Sequence, residues 1–130
     1  MVETCFRINV ICMKSIFLTI LICASLFSVS QIPKFGTYIF KYCELEYENS
    51  CYGTCKIVIR KDSITVFATQ ELSQKRTYTN EGDIIDQGII LKHKSGKWIV
   101  GKTSKDKFAK QIGAEGPAII DFKKKQYWTF

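Results

Sequence analysis

Within residues 31–130 the side chains best suited to chemistry are Cys43, Cys51, Cys55 and His93. In an oxidising compartment three thiols allow one disulfide in three ways and leave one thiol over. Cys43 and Cys55 flank an acidic stretch holding Glu44, Glu46 and Glu48, so the expected bridge uses Cys43, with either Cys55 or Cys51. Closing such a loop contributes about 2–4 kcal/mol. The same four residues are formally a Cys3His zinc set, but the spacing lacks the paired ligands of structural zinc sites, and no metal is assigned. A free thiol with His93 as its base would be a nucleophile, yet no third group orients the imidazole.

His93 is the only histidine of the chain, which narrows the enzymology that the sequence can support. Alternation places it at the end of a strand with Ile89 and Leu91, where a structural histidine beside a hairpin turn is the ordinary reading. Asp83 with Asp86, or Glu44 with Glu46 and Glu48, could supply paired carboxylates for acid and base work. Alternating acids of this kind usually form a solvated side. No nucleophile elbow, phosphate-binding glycine loop or zinc-protease motif is present, so no catalytic residue and no cofactor are assigned. A small extracytoplasmic hydrolase using His93 or the acids remains the alternative to a binding protein.

Charge is the other chemical signal. Residues 31–88 carry 7 basic and 8 acidic side chains, whereas residues 89–130 carry 10 lysines against 3 acids. Lys92, Lys94, Lys97, Lys123, Lys124 and Lys125, interleaved with Trp98 and Trp128, form a candidate patch for an anionic partner. All of these cations are lysine. Arginine would be expected where planar, bidentate recognition of phosphate or carboxylate matters, so the pattern suits a diffuse field rather than a shaped pocket.

These groups must be positioned by short strands. Residues 36–43 alternate, as do residues 55–60 after the acidic stretch, and Lys61-Asp62-Ser63 turns the chain into residues 64–69. Residues 70–80 are polar and stay unassigned as a loop or weak edge strand. Residues 83–93 read as a strand with a bulge near Gly88, and Lys94-Ser95-Gly96 turns it into residues 97–101. A short helix is expected over residues 104–113, capped by Ser104 and stopped by Gly113. Strands on either side of Lys123-Lys124-Lys125 complete a third hairpin. The expected fold is all-β, built mainly of antiparallel hairpins closed into a small barrel or sandwich, with one short helix.

Upstream, residues 16–27 are an apolar run opened by Lys14 and followed by Ser28 and Ser30. That is the pattern of a secretory signal peptide, and it is short of the roughly 20 residues a spanning helix needs. Met13 is the better start, which makes residues 1–12 an upstream extension, residues 13–30 the leader and residues 31–130 one β-rich domain. Cys5, Cys12 and Cys23 then leave with the leader. Export, periplasmic or secreted, turns the basic C-terminal part away from nucleic acid and toward an anionic envelope component or an acidic protein. Membrane contact is expected only through an uncleaved leader.

Gly36-Thr37-Tyr38, Gly53-Thr54-Cys55-Lys56, Gly82-Asp83-Ile84-Ile85, the run from His93 through Lys97-Trp98 to Ile99, and Ile120-Asp121-Phe122-Lys123 before Tyr127-Trp128 together resemble small uncharacterised secreted bacterial proteins. The resemblance covers most of residues 31–130. It implies export and a β-rich fold, and it implies no activity and no site residue. The expectation from the sequence is a basic, non-enzymatic exported binding module or inhibitor acting on an envelope or extracellular partner.

Overall fold

A computed structural model describes residues 32–46 and 50–130, and residues 33–130 form one compact unit. The expected leader at 13–30 and the extension at 1–12 lie outside the described residues. Seven strands form a closed barrel in chain order: β1 (Gly36–Glu44), β2 (Ser50–Arg60), β3 (Ser63–Ala68), β4 (Ile84–Lys92), β5 (Trp98–Gly101), β6 (Ala118–Asp121) and β7 (Gln126–Thr129). Six neighbouring pairs are antiparallel, so the direction reverses six times and β7 runs the same way as β1. The closing pair is therefore parallel, with Lys41 opposite Gln126 and Glu44 opposite Thr129.

Pleating sends alternate residues inward. Phe40, Cys55, Ile57, Ile59, Ile64, Val66, Ala68, Ile90, Val100, Ala118, Ile120 and Tyr127 are buried, and the register sets many of them directly opposite one another. The interior is a packed core, as in other small barrels. Aromatic rings close it toward both ends. Phe122 meets Phe40 and Trp98 edge-on at 6.1 and 6.2 Å, while Tyr42 meets Tyr52 and Tyr127 at 5.7 and 5.9 Å.

Two irregularities shape the wall. Between Lys41 opposite Thr54 and Cys43 opposite Cys51, β2 carries one extra residue, and Gly53 there has φ 81°. A bulge with a left-handed glycine re-aims the strand, and this one brings Cys51 across from Cys43. Between Val66 opposite Asp86 and Phe67 opposite Ile84, the extra residue is Ile85 on β4. Asp86 keeps the inward alternation of Gly88 and Ile90, and the shift beyond it turns Ile84 out to solvent.

The helical segment lies elsewhere than the sequence reading placed it. Helix α1 (Gln70–Lys75) follows β3, where Thr69 caps it by accepting from the Leu72 backbone N–H at 3.2 Å. Glu71 in the first turn and Lys75 in the last suit the helix dipole. Leu72 is its one buried residue; it packs over Gly53, which contributes about 2 kcal/mol. Residues 104–113 form only a 3-10 turn over Ser104–Phe108, with no buried residue. Asp106 accepts from the backbone N–H groups of Lys102 and Thr103, which starts the turn, but Phe108 points to solvent and nothing holds a longer helix. Among the described residues, no helix is long and apolar enough to cross a membrane.

Candidate functional site

In a barrel of consecutive antiparallel strands, alternate connections lie at the same end. The segment entering β1, the β2–β3 turn, the β4–β5 turn and the β6–β7 turn therefore share one end. They carry Lys34, Arg60, Lys61, Lys92, Lys94, Lys97, Lys123, Lys124 and Lys125, against Asp62 and Asp121. The two lysine clusters seen in the sequence are thus brought to a single rim. The β5–β6 connection adds to it, because the Lys107 carbonyl accepts from the Lys94 backbone N–H at 3.0 Å.

The rim is built tightly. Asp121 Oδ1 accepts from the Lys124 N–H at 2.9 Å, and Lys125 takes φ 53°, which closes the β6–β7 turn with its lysines outside. Lys92 Nζ sits 5.6 Å from the Trp98 ring centre, a cation–π contact worth about 0.5–1 kcal/mol. None of the six patch lysines forms an ion pair with a described residue. Trp128 is not part of this surface. It lies opposite Ile119 and Cys43, on the outer face of the wall and toward the other end, and its Nε1 donates to Gln126.

His93 braces the same rim. Its Nδ1 accepts from the Ser95 backbone N–H at 3.2 Å, so Nε2 carries the proton and donates to the Ala109 carbonyl at 2.7 Å. Ser95 Oγ lies 2.8 Å from Nδ1. Both ring nitrogens are engaged by the turn and the β5–β6 connection, and the ring is 5 % exposed. This arrangement pins two loops together. It leaves no ring nitrogen turned toward a substrate.

The cysteines lie elsewhere. Cys43 and Cys51 form a disulfide between β1 and β2, and Cys55 is the free, buried thiol, its Sγ 3.7 Å from the Phe40 carbonyl. A Cys3His metal set is therefore not assembled, since two of its thiolates are spent in the bridge. No cluster of three or more metal-ligating side chains occurs among the described residues. Burial pushes the Cys55 thiol up to about 12 from 9.0. The raised value means that the fold holds the proton while an unfolded chain releases it above pH 9.0. Its contribution to stability is present in full below pH 9.0 and is lost as pH rises from there toward 12. Alkaline unfolding of the wild type should thus fall more steeply over that window than in Cys55→Ala, as circular dichroism along a pH series would show. At pH 8 iodoacetamide should label Cys55 only after denaturation.

Two carboxylates occupy the barrel interior or its mouth. Asp86 accepts from the Tyr127 hydroxyl at 2.8 Å and pairs with Lys102 Nζ at 2.8 Å, and Lys102 also donates to the Gln87 carbonyl. Glu44, 5 % exposed, accepts from the Tyr42 hydroxyl at 3.0 Å and lies 3.9 Å from Arg76 Nε. Burial, helped by the neighbouring carboxylates, raises both tyrosine hydroxyls well above their usual range. Both acids continue the inward alternation of their strands, Glu44 after Phe40 and Tyr42 and Asp86 before Gly88 and Ile90, but an acid in such a position reads in the sequence as part of a solvated side. The second pair opens into a cleft of about 530 Å³ lined by Glu44, Glu46, Tyr52, Lys75, Arg76, Thr77 and Phe130.

No family model, no curated protein and no solved structure matches the chain. The functional reading rests on the barrel's own geometry.

Proposed function

We propose that the chain is an exported, non-enzymatic binding module whose basic barrel end docks on an anionic envelope surface. The observation that carries this reading is the convergence of Lys92, Lys94, Lys97 and Lys123 to Lys125 on one rim, with no ion-pair partner among the described residues. Lysine turns from separate hairpins make a broad positive field, which suits a repeating phosphate- or carboxylate-bearing surface better than a single shaped anion. The Cys43–Cys51 bridge is consistent with a protein that works outside the reducing cytoplasm. His93 serves this surface by fixing the β4–β5 turn, not by proton transfer.

Each lysine near an anionic surface contributes about 1 kcal/mol, so three together change partitioning on the order of 100-fold. Lys123→Gln/Lys124→Gln/Lys125→Gln should lose most binding to vesicles containing phosphatidylglycerol at about 0.1 M salt, where the screening length is about 10 Å. Wild-type binding should fall steeply with added salt. The control Lys56→Gln/Lys75→Gln removes two charges from the wall and helix α1, away from the rim. Equal losses in both variants, or binding indifferent to salt, would remove the case for the rim.

A further inference from the structure

The cleft at the opposite end of the barrel is chemically unlike the rim. Its lining holds two carboxylates, Glu44 and Glu46, and two cations, Lys75 and Arg76, together with the rings of Tyr52 and Phe130. We propose that it binds a zwitterionic ligand of amino-acid to dipeptide size bearing an aromatic or other apolar side chain.

Three observations support this assignment. The first is construction. Arg76 is held from two sides, by buried Glu44 at 3.9 Å and by the Tyr42 ring 5.4 Å below its guanidinium carbon. Among the described residues its side chain makes no hydrogen bond, which leaves its terminal nitrogens for a carboxylate on the ligand. A guanidinium already fixed in place loses little freedom when it binds.

The second is charge balance. Glu44 is already committed to Tyr42 and Arg76, whereas Glu46 is exposed and pairs with no described residue, so the ligand's ammonium belongs on Glu46. A simple anion would meet two carboxylates, and a simple cation would meet Arg76 and Lys75, whose exposed pairing with Glu71 at 3.3 Å offsets only part of its charge. Only a molecule with both charges satisfies the two walls together.

The third is size and rigidity. A volume of about 530 Å³ lies in the range of sites for small organic ligands. The exposed Phe130 ring and Tyr52 offer apolar surface in the same cleft. One wall follows directly from the Cys43–Cys51 bridge, and the other is the C-terminal end of α1, seated through Leu72 on Gly53.

The test is a titration of the full chain with the dipeptide glycyl-phenylalanine, followed by amide chemical shifts. Saturable shifts are expected at residues 44, 46, 52 and 75–77, with a dissociation constant in the millimolar range or below. The N-acetylated dipeptide lacks the ammonium and the amidated one lacks the carboxylate; each should bind about tenfold more weakly. Arg76→Gln should weaken the parent dipeptide by a similar factor. Glu46→Gln, at an exposed position that leaves the fold intact, should do the same. No saturable shift at these residues, equal binding of the blocked dipeptides, or full binding by Glu46→Gln would overturn the assignment. Because Lys123 to Lys125 lie at the other end, their Gln variants should leave this titration unchanged, which separates the cleft from the rim.

Discussion

Gly88→Ala should destabilise the barrel by about 3 kcal/mol, lowering its melting temperature on the order of 15 °C. A Cβ built on Gly88 comes far inside van der Waals contact distance of the Gly101 carbonyl oxygen and lies 3.2 Å from Val100 Cγ1. The obstacle is backbone, which no rotamer change can move aside. It sits where β4 crosses from pairing with β3 to pairing with β5, with Gly88 opposite Ile64 and Ile89 opposite Gly101. Relieving the clash means parting β4 from β5, so the cost falls on the closure of the wall itself. Gly96→Ala is the informative comparison. Gly96 has φ 91° but open space around it, so alanine there incurs only backbone strain, about 1 kcal/mol. Thermal melts of the two variants would separate crowding from conformational strain; equal losses would show that Gly88 is not a point of close approach.

Loss of the disulfide should be the second large effect. The bridge closes a short loop with a sequence separation of 8, for which chain entropy gives about 2.5 kcal/mol. Cys43→Ser/Cys51→Ser should therefore unfold at a markedly lower denaturant concentration than wild type, and added dithiothreitol should lower the wild type toward it. The double variant should be insensitive to the reductant. The local consequence is as informative as the global one. Cys43 and Cys51 flank the segment that carries Glu44 and Glu46, so hydrogen exchange should rise first at the ends of β1 and β2 next to the cleft. A change confined to the far rim would contradict this placement.

The hairpins were legible because their inward residues alternate cleanly: Ile57 and Ile59 face Val66 and Ile64 across a two-residue loop. β2 begins earlier than its alternation suggests, at Ser50, because the Gly53 bulge interrupts the period while pairing continues to Glu44. Helix α1 was missed since Leu72 is its only apolar residue; the available signal was Thr69 standing three residues before Leu72 as a cap. Ser104 and Gly113 marked out a helix over residues 104–113, but no surface buries Phe108, and tertiary packing decided against it. The lysine turns were visible singly. Their meeting at one rim follows from strand parity and needed every strand to be placed. The cleft could not be seen at all, because Glu44, Tyr52, Arg76 and Phe130 come together only through the barrel's closure.

The odd number of strands has a mechanical consequence. Since β1 and β7 run the same way, the start of β1 and the finish of β7 lie at opposite ends of the seam. A pull applied to those two points loads the hydrogen bonds between Lys41–Glu44 and Gln126–Thr129 lengthwise and all together, as in a lap joint, instead of peeling them one by one. An even-stranded barrel of the same kind would close with an antiparallel pair, which such a pull would unzip. Tension applied between the start of β1 and the finish of β7 would therefore meet the barrel in its strongest direction.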